Sequence, residues 1–448
     1  MNDSRLFYRR VTHGRVLAVA LLLVPLAGAA AVPAVRLVAA GQQLTPVPTF
    51  SHDVAPILYE NCVSCHRPGE IGPMPLVTYD EVRPWARAIA RQVEDGQMPP
   101  WHADAPAGTF ANERRLAPEQ VATIAAWSAA GAPQGDPRDL PPPPQFVEGW
   151  TIGEPDLIVE MPEPYDVPAR GVVDYQYFEA PVPLSEDRWI EAIEVHPGAR
   201  RVVHHVIVYE REPGRSPRPR FAQQDPQIAR TRPGPGGPRR PLGYQLAAVA
   251  TGTGPSVFPA GTARLLRAGA TLTFQMHYTP NGTAEQDRTR IGFRFAKHPP
   301  LHELRPFNMV NGTFVIPPGA QDHRVEASAR FTEDVTLYSM LPHTHLRGKR
   351  WEYTLTYPDG RSETVLRVPD YDFGWQTEYW FASPLRIPRG SVLHGVAWYD
   401  NSSANRNNPD PTVEVRWGDQ TWEEMQFTAL LVTVDGATLP SAGDGGGR

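Results

Sequence analysis

Two cysteines in 448 residues are too few to complete a zinc cluster built from Cys pairs, and they leave the fold to stand on packing alone. Basic charge is scarce as well. The formal charge is −6, and residues 1–40 hold five Arg against one Asp, so the remaining chain is more acidic still. A surface of that sign excludes a phosphate backbone, and with it nucleic acid, as partner. Helical periodicity is confined to one region. In its place are fifty prolines and thirty-seven glycines, which predict many short strands joined by turns. The length exceeds one ordinary core and implies two or three domains.

Residues 1–40 read as an export signal or membrane anchor. Arg5, Arg9, Arg10 and Arg15 precede an uncharged run from Val16 to Val35, and Ala29-Ala30 and Ala39-Ala40 offer cleavage points. The run also has the length of a bilayer span. Both readings place the remainder beyond the membrane, exported and periplasmic, with Pro25 and the Ala/Gly-rich end favouring cleavage.

Cys62-Val63-Ser64-Cys65-His66 is the haem c attachment pattern, in which two thiolates add to the porphyrin vinyl groups and the adjacent imidazole ligates iron. A lone CxxC disulfide would have no need of His66. Val82, Trp85, Ala86, Ile89 and Val93 recur at helical spacing, with Pro84 near the start and Gly96 after the end. Gln97-Met98-Pro99-Pro100-Trp101 then forms a stiff loop, and Leu116 to Ala129 a further helix. Helix, haem motif, helix, Met loop and helix is the order of a small class I cytochrome c, which residues 48–133 resemble. Met98 is the expected second axial ligand, with Met74 the alternative. Residues 134–150, with four consecutive prolines from Pro141, read as a semi-rigid linker.

From Ile152 the pattern turns to period two. His204 and His205 lie in the β-prone run from Arg201 to Tyr209; neighbours in a regular strand face opposite ways, so a shared metal requires a twist or a bulge. His277 projects from the polar face of Thr271–Tyr278. His343 and His345, at the end of the strand-like run beginning at Val335, leave on one side and can close on one ion. A strand edge with two solvated histidines is the plain alternative, and imidazoles alone do not name the metal. Met425 opens a terminal strand, sharing a face with Phe427, Ala429 and Leu431, where core packing is the alternative role. Glu210 to Pro241, with eight Arg, reads as a long basic insertion. His323 is expected to be structural, and His394 has no pattern partner. Residues 436–448 are Gly-rich and expected to lack structure.

Taken in order, His-His, His, His-x-His and Met resemble the type II copper, ascorbate-dependent monooxygenases, the family of peptidylglycine α-hydroxylating and dopamine β-monooxygenases. The resemblance covers roughly residues 152–434. It implies His204, His205 and His277 as ligands of an electron-transfer copper, and His343, His345 and Met425 as ligands of the copper where O2 reacts. It further implies two antiparallel β-sandwich domains, residues 151–300 and 301–435, facing one another across a solvent-filled cleft. The expected fold is thus a small all-α cytochrome c domain followed by two all-β domains. The expected cofactors are two copper ions and haem c, and the expected activity is hydroxylation of a C–H bond of a small organic substrate. Electrons would come from ascorbate or another carrier through the haem. A periplasmic electron-transfer or scaffold protein without oxygenase turnover is the alternative. Where the peptide-amidating branch has an arginine that clasps a carboxylate, two residues before His343, this chain has Leu341.

Overall fold

The computed structural model describes residues 46–70, 72–147, 149–213, 221–230, 242–249 and 254–439. The expected signal or anchor, most of the Arg-rich insertion and the end of the Gly-rich tail lie outside them. Among the described residues no helix is long and apolar enough to cross a membrane.

The expected fold class is not what the chain adopts. Residues from Val47 onward form one compact unit. It is mostly β, and its α-helices are short: Ala55–Asn61, Tyr79–Val82, Ala86–Glu94 and Pro118–Ala129. No separate all-α domain forms, for a physical reason. The segment between the last two helices leaves them and packs elsewhere: Trp101, Ala103 and Phe110 are buried in the core built by residues 309–432. Trp101 meets the Tyr379 ring edge-on at 5.2 Å, and Phe110 lies 5.3 Å from Phe381. Backbone bonds hold the crossing in place, Asp104 N–H to the Arg367 carbonyl (2.9 Å) and Ala111 N–H to the Trp380 carbonyl (2.7 Å). Trp101 and Phe110 thus bury their apolar rings in that core rather than in the cluster that the helices form around Phe50, Leu58 and Trp127.

Local signals in the helical segment are otherwise obeyed. Thr78 and Glu81 form a reciprocal capping box. Ala86, Ile89, Ala90 and Val93 are buried at helical spacing, and Gly96 ends the run with φ of +66°.

Among the described residues the strands lie in six separate sheets rather than in two sandwiches. Two four-stranded sheets matter for the site. The first is ordered Gln176–Pro181, Thr271–Tyr278, Val203–Arg211, Tyr244–Val249; the second Arg305–Val310, Phe427–Val434, Val335–His343, Tyr379–Ile387. All their pairings are antiparallel. A six-stranded sheet shares the first core, which includes Val206, Val208, Phe274, Met276 and Phe293. The second core, around Leu337, Met340, Trp351 and Tyr353, also takes in a five-stranded sheet. Its edge strand, Ala222–Gln224, comes from the expected insertion and pairs with His323–Phe331.

Candidate metal centres

His204 and His205 face one another because the strand carrying them is irregular. His277 pairs with His205 but Tyr278 pairs with Val203, so His204 is the extra residue of a bulge. That brings three imidazoles together from two adjacent strands. Nδ1 of His205 lies 3.2 Å from Nδ1 of His204 and 3.3 Å from Nδ1 of His277, and the three residues' nearest ring nitrogens all fall within 4.8 Å of one another. One imidazole nitrogen offers a single proton or a single lone pair, so it cannot satisfy both neighbours at once. A cation at the centre would. Burial holds all three rings neutral: His277 is pushed down to about 3, and His205 lies well below the ordinary histidine range, lowered further by the other histidines around it. Neutral imidazole is the ligating form.

His343 closes the Val335–His343 strand and His345 follows it. They are not solvated edge residues: only 5% and 1% of their surfaces are exposed. Their ring centroids lie 5.1 Å apart. His345 Nδ1 donates to the Glu423 carbonyl at 3.2 Å, which leaves Nε2 unprotonated, the arrangement that orients a metal-ligating histidine. His345 Nε2 and His343 Nδ1 are both buried without a hydrogen-bond partner. Burial again lowers both, His343 to about 4. The expected strand at Met425 begins two residues later, at Phe427. Met425 instead lies in the approach to it, half-buried and lining the same cavity as His343 and His345. N3 and N2S donor sets fit copper well, the thioether favouring its reduced form.

Behind the second pair stands a buried polar frame that sequence reasoning missed. The Glu424 carboxylate accepts from the backbone N–H of His345 and Arg347, both at 2.7 Å, and of Met425 at 3.2 Å. One residue thereby ties the His-x-His turn to the Met segment. Burial nonetheless pushes its carboxyl up to about 7, against those bonds. Arg347, 1% exposed, donates to Asn401 Oδ1 and the Trp422 carbonyl. Tyr371 OH donates to the Thr344 carbonyl at 2.9 Å. An acidic residue beside Met425 was the one available signal for Glu424; alternation alone could not say which of Glu423 and Glu424 turns inward.

The two sets share a cavity of about 310 Å³. His205, His343, His345 and Met425 line it, with Ile207, Val310, Leu341 and Phe427 as apolar walls. Among the described residues no Lys or Arg lines it. Asp419, buried and with Oδ2 unpartnered, is pushed up to about 6 by burial and by Glu423. The buried Phe373 ring lies within 6.4 Å of all five histidine rings.

Cys62 and Cys65 are unpaired thiols, Cys62 pushed up to about 12 by burial. His66 Nδ1 donates to the Met74 carbonyl at 3.0 Å, leaving Nε2 for a ligand. A Cβ on Gly72 would lie 2.7 Å from both the Cys65 carbonyl and His66 Nδ1, so only glycine fits the turn around the motif. These features suit covalent haem with His66 as an axial ligand. Met98, half-buried, follows the Ala86–Glu94 helix, its N–H donating to the Gln92 carbonyl. The Cys62–His66 segment also meets the turn that leads into the first set's strand: Glu70 pairs with Arg200 at 3.6 Å, four residues before His204. His323 is half-buried at a strand start. His394 does have partners, Ser328 Oγ at 2.7 Å and Glu326 Oε2 at 2.9 Å.

No family model and no curated protein matches this chain. Among solved structures, a secreted protein from Eubacterium rectale matches at 10% identity and a TM-score of 0.18, over 59% of this chain and 71% of that one. A structure of infectious bursal disease virus, Gx strain, matches at 10% identity and 0.19, over 64% and 74%. Likeness of that degree carries neither fold nor function to this chain.

Proposed function

We propose that this chain is an exported, copper-dependent monooxygenase that hydroxylates a C–H bond of a small organic substrate, with electrons entering through a c-type haem at Cys62, Cys65 and His66. The observation that supports this reading best is convergence. Three buried histidines and a methionine line one cavity, and His204 and His277 gather with His205 beside it, their ring nitrogens within 4.8 Å of one another. Copper bound there would supply one-electron redox steps and reaction with O2.

The chain's own residues do the rest. His204, His205 and His277 would hold the ion that receives electrons, and His343, His345 and Met425 the ion that meets substrate. Hydroxylation consumes two electrons beyond the substrate's own, so two one-electron centres match the demand. Glu423 and Glu424 fix the His345 ring and backbone before any ion arrives. Leu341, Val310 and Phe427 exclude water and receive apolar substrate surface. Leu341 stands where the peptide-amidating branch has its carboxylate-clasping arginine, so a C-terminal peptide is disfavoured as substrate. The Glu70–Arg200 pair joins the haem segment to the turn leading into the first set's strand, and Met98 would be the second axial ligand.

Turnover tests the reading. Copper-loaded protein, reduced by ascorbate under 18O2 with a panel of small neutral aromatic and aliphatic compounds, should yield a product carrying one 18O atom, and His343→Ala should abolish it. Two bound coppers per chain with no oxygenated product across the panel would favour an electron-transfer protein instead.

A further inference from the structure

His394 takes no part in either histidine set, yet both of its ring nitrogens are engaged. Its strand, Val392–Tyr399, runs antiparallel to His323–Phe331, and the register puts His394 directly opposite Ser328. Glu326 lies two residues before Ser328, so both side chains leave the same face of the sheet. That face is turned away from the core: Val325, Ala327 and Ala329 are buried, whereas Glu326 and Ser328 are half-buried.

The three groups form a chain. Ser328 Oγ lies 2.7 Å from His394 Nδ1, and His394 Nε2 lies 2.9 Å from Glu326 Oε2. Arg324 engages the other oxygen of Glu326. A carboxylate only accepts, so the proton of the neutral imidazole sits on Nε2 and the lone pair on Nδ1. Ser328 Oγ–H then donates to that lone pair, the polarity with which a general base takes a hydroxyl proton. Two further observations set the chain apart from an ordinary cross-strand pair. All three residues line an open groove of about 590 Å³, whose wall at Gln224 and Ile228 is fixed by the Gly312 N–H bond to the Ile228 carbonyl at 2.7 Å. Arg330 lines it too. Its Nη1 donates to the Gly390 carbonyl at 2.9 Å, and among the described residues its Nε and Nη2 have no partner, so donors remain for a developing oxyanion.

We propose that Ser328, His394 and Glu326 form a second active site, sharing no residue with the copper-site histidines, that hydrolyses small carboxylic esters through an acyl-Ser328 intermediate. Ser328 Oγ attacks the ester carbonyl carbon as His394 Nδ1 takes its proton, and Arg330 donates to the oxyanion. The carbon–oxygen bond to the alcohol breaks, and His394 passes the proton to the leaving oxygen. Water, deprotonated by the same nitrogen, then attacks the acyl carbon; the bond to Ser328 breaks, Ser328 Oγ recovers the proton and the acid departs. Glu326 touches no reacting atom and is a positioning residue, holding the imidazole in one tautomer. Ile228 and Val392 give the groove its apolar surface, which suits a short acyl chain.

The test treats the full chain, with and without excess chelator, with a fluorescent alkyl fluorophosphonate and maps the modified peptide by mass spectrometry. Release of 4-nitrophenol from 4-nitrophenyl butyrate is followed in parallel. Label should fall on Ser328, and Ser328→Ala should abolish both label and turnover. His394→Gln should slow labelling about 100-fold or more; should that variant not fold, His394→Asn carries the comparison. Glu326→Gln should slow labelling and Glu326→Asp restore it, a rescue that a role in packing alone would not produce. Ser328 unlabelled in folded wild type, or labelled equally fast in His394→Gln, would overturn the proposal. Turnover lost with the chelator would assign ester cleavage to bound metal and overturn it as well.

Discussion

The two histidine sets solve one problem in different ways. His343 and His345 sit in a finished frame: Glu424, Arg347, Asn401 and Tyr371 bond the turn from all sides, and both rings are almost wholly buried. His204, His205 and His277 have little behind them. A single bulge turns them together, two of the three are only half-buried, and their nearest polar neighbours are one another. A centre where substrate must be held against an ion gains from a fixed turn. One that only passes electrons tolerates a lighter mount. The difference accords with the roles proposed for them.

If that contrast holds, breaking the frame should cost stability and breaking the bulge set should not. The largest effect is expected for Glu424→Ala, which strips the acceptor from three backbone N–H groups in a buried place and should destabilise the protein by about 2–4 kcal/mol, read from urea unfolding. It should also remove copper from the His343/His345 centre alone.

Acid should come next. All five histidines titrate below their ordinary value of 6.5, His343 near 4 and His277 near 3. The unfolded chain therefore binds more protons than the folded one below about pH 6.5, and stability falls as pH drops from there toward the folded values. Glu424, raised to about 7, works in the opposite sense: its contribution is complete below the ordinary carboxylate range and is lost as pH rises through 7. Five histidines outweigh one carboxyl, so the melting temperature of metal-free protein should fall as pH drops below about 6.5, and Glu424→Gln, which removes the opposing contribution, should steepen that fall.

Tyr371→Phe removes one donor to the Thr344 carbonyl and should cost about 1 kcal/mol by the same unfolding assay. The smallest change in stability is expected for His204→Ala, within roughly 0.5 kcal/mol of wild type, although it should delete one copper. A loss as large as that of Glu424→Ala would show the bulge set to be as rigidly built as its partner.

Sequence patterning reached the grouping of the histidines far better than their setting. His343 and His345 are legible because a strand's period of two is strict. The His204–His205 pair required a bulge, and the bulge is where it had to be, but nothing local announces one. The architecture was less legible. Trp101 and Phe110 read as part of a helical domain because apolar residues in a Pro-rich segment do not declare which core they will enter. Phe373 was invisible for a related reason: Asp372-Phe373-Gly374 has no periodicity, and its place is set by Tyr371 bonding to a turn 27 residues earlier. Glu424 hid beside an identical neighbour, with the choice of inward face made by the His345 and Arg347 amides.

Copper stoichiometry resolved by site tests the central claim most directly. Metal analysis with EPR spin counting should find two type II coppers per chain in wild type and one each in His204→Ala and His343→Ala, with distinguishable spectra. Wild type that binds no copper, or variants that each lose both ions or neither, would contradict two separate centres built from these five histidines.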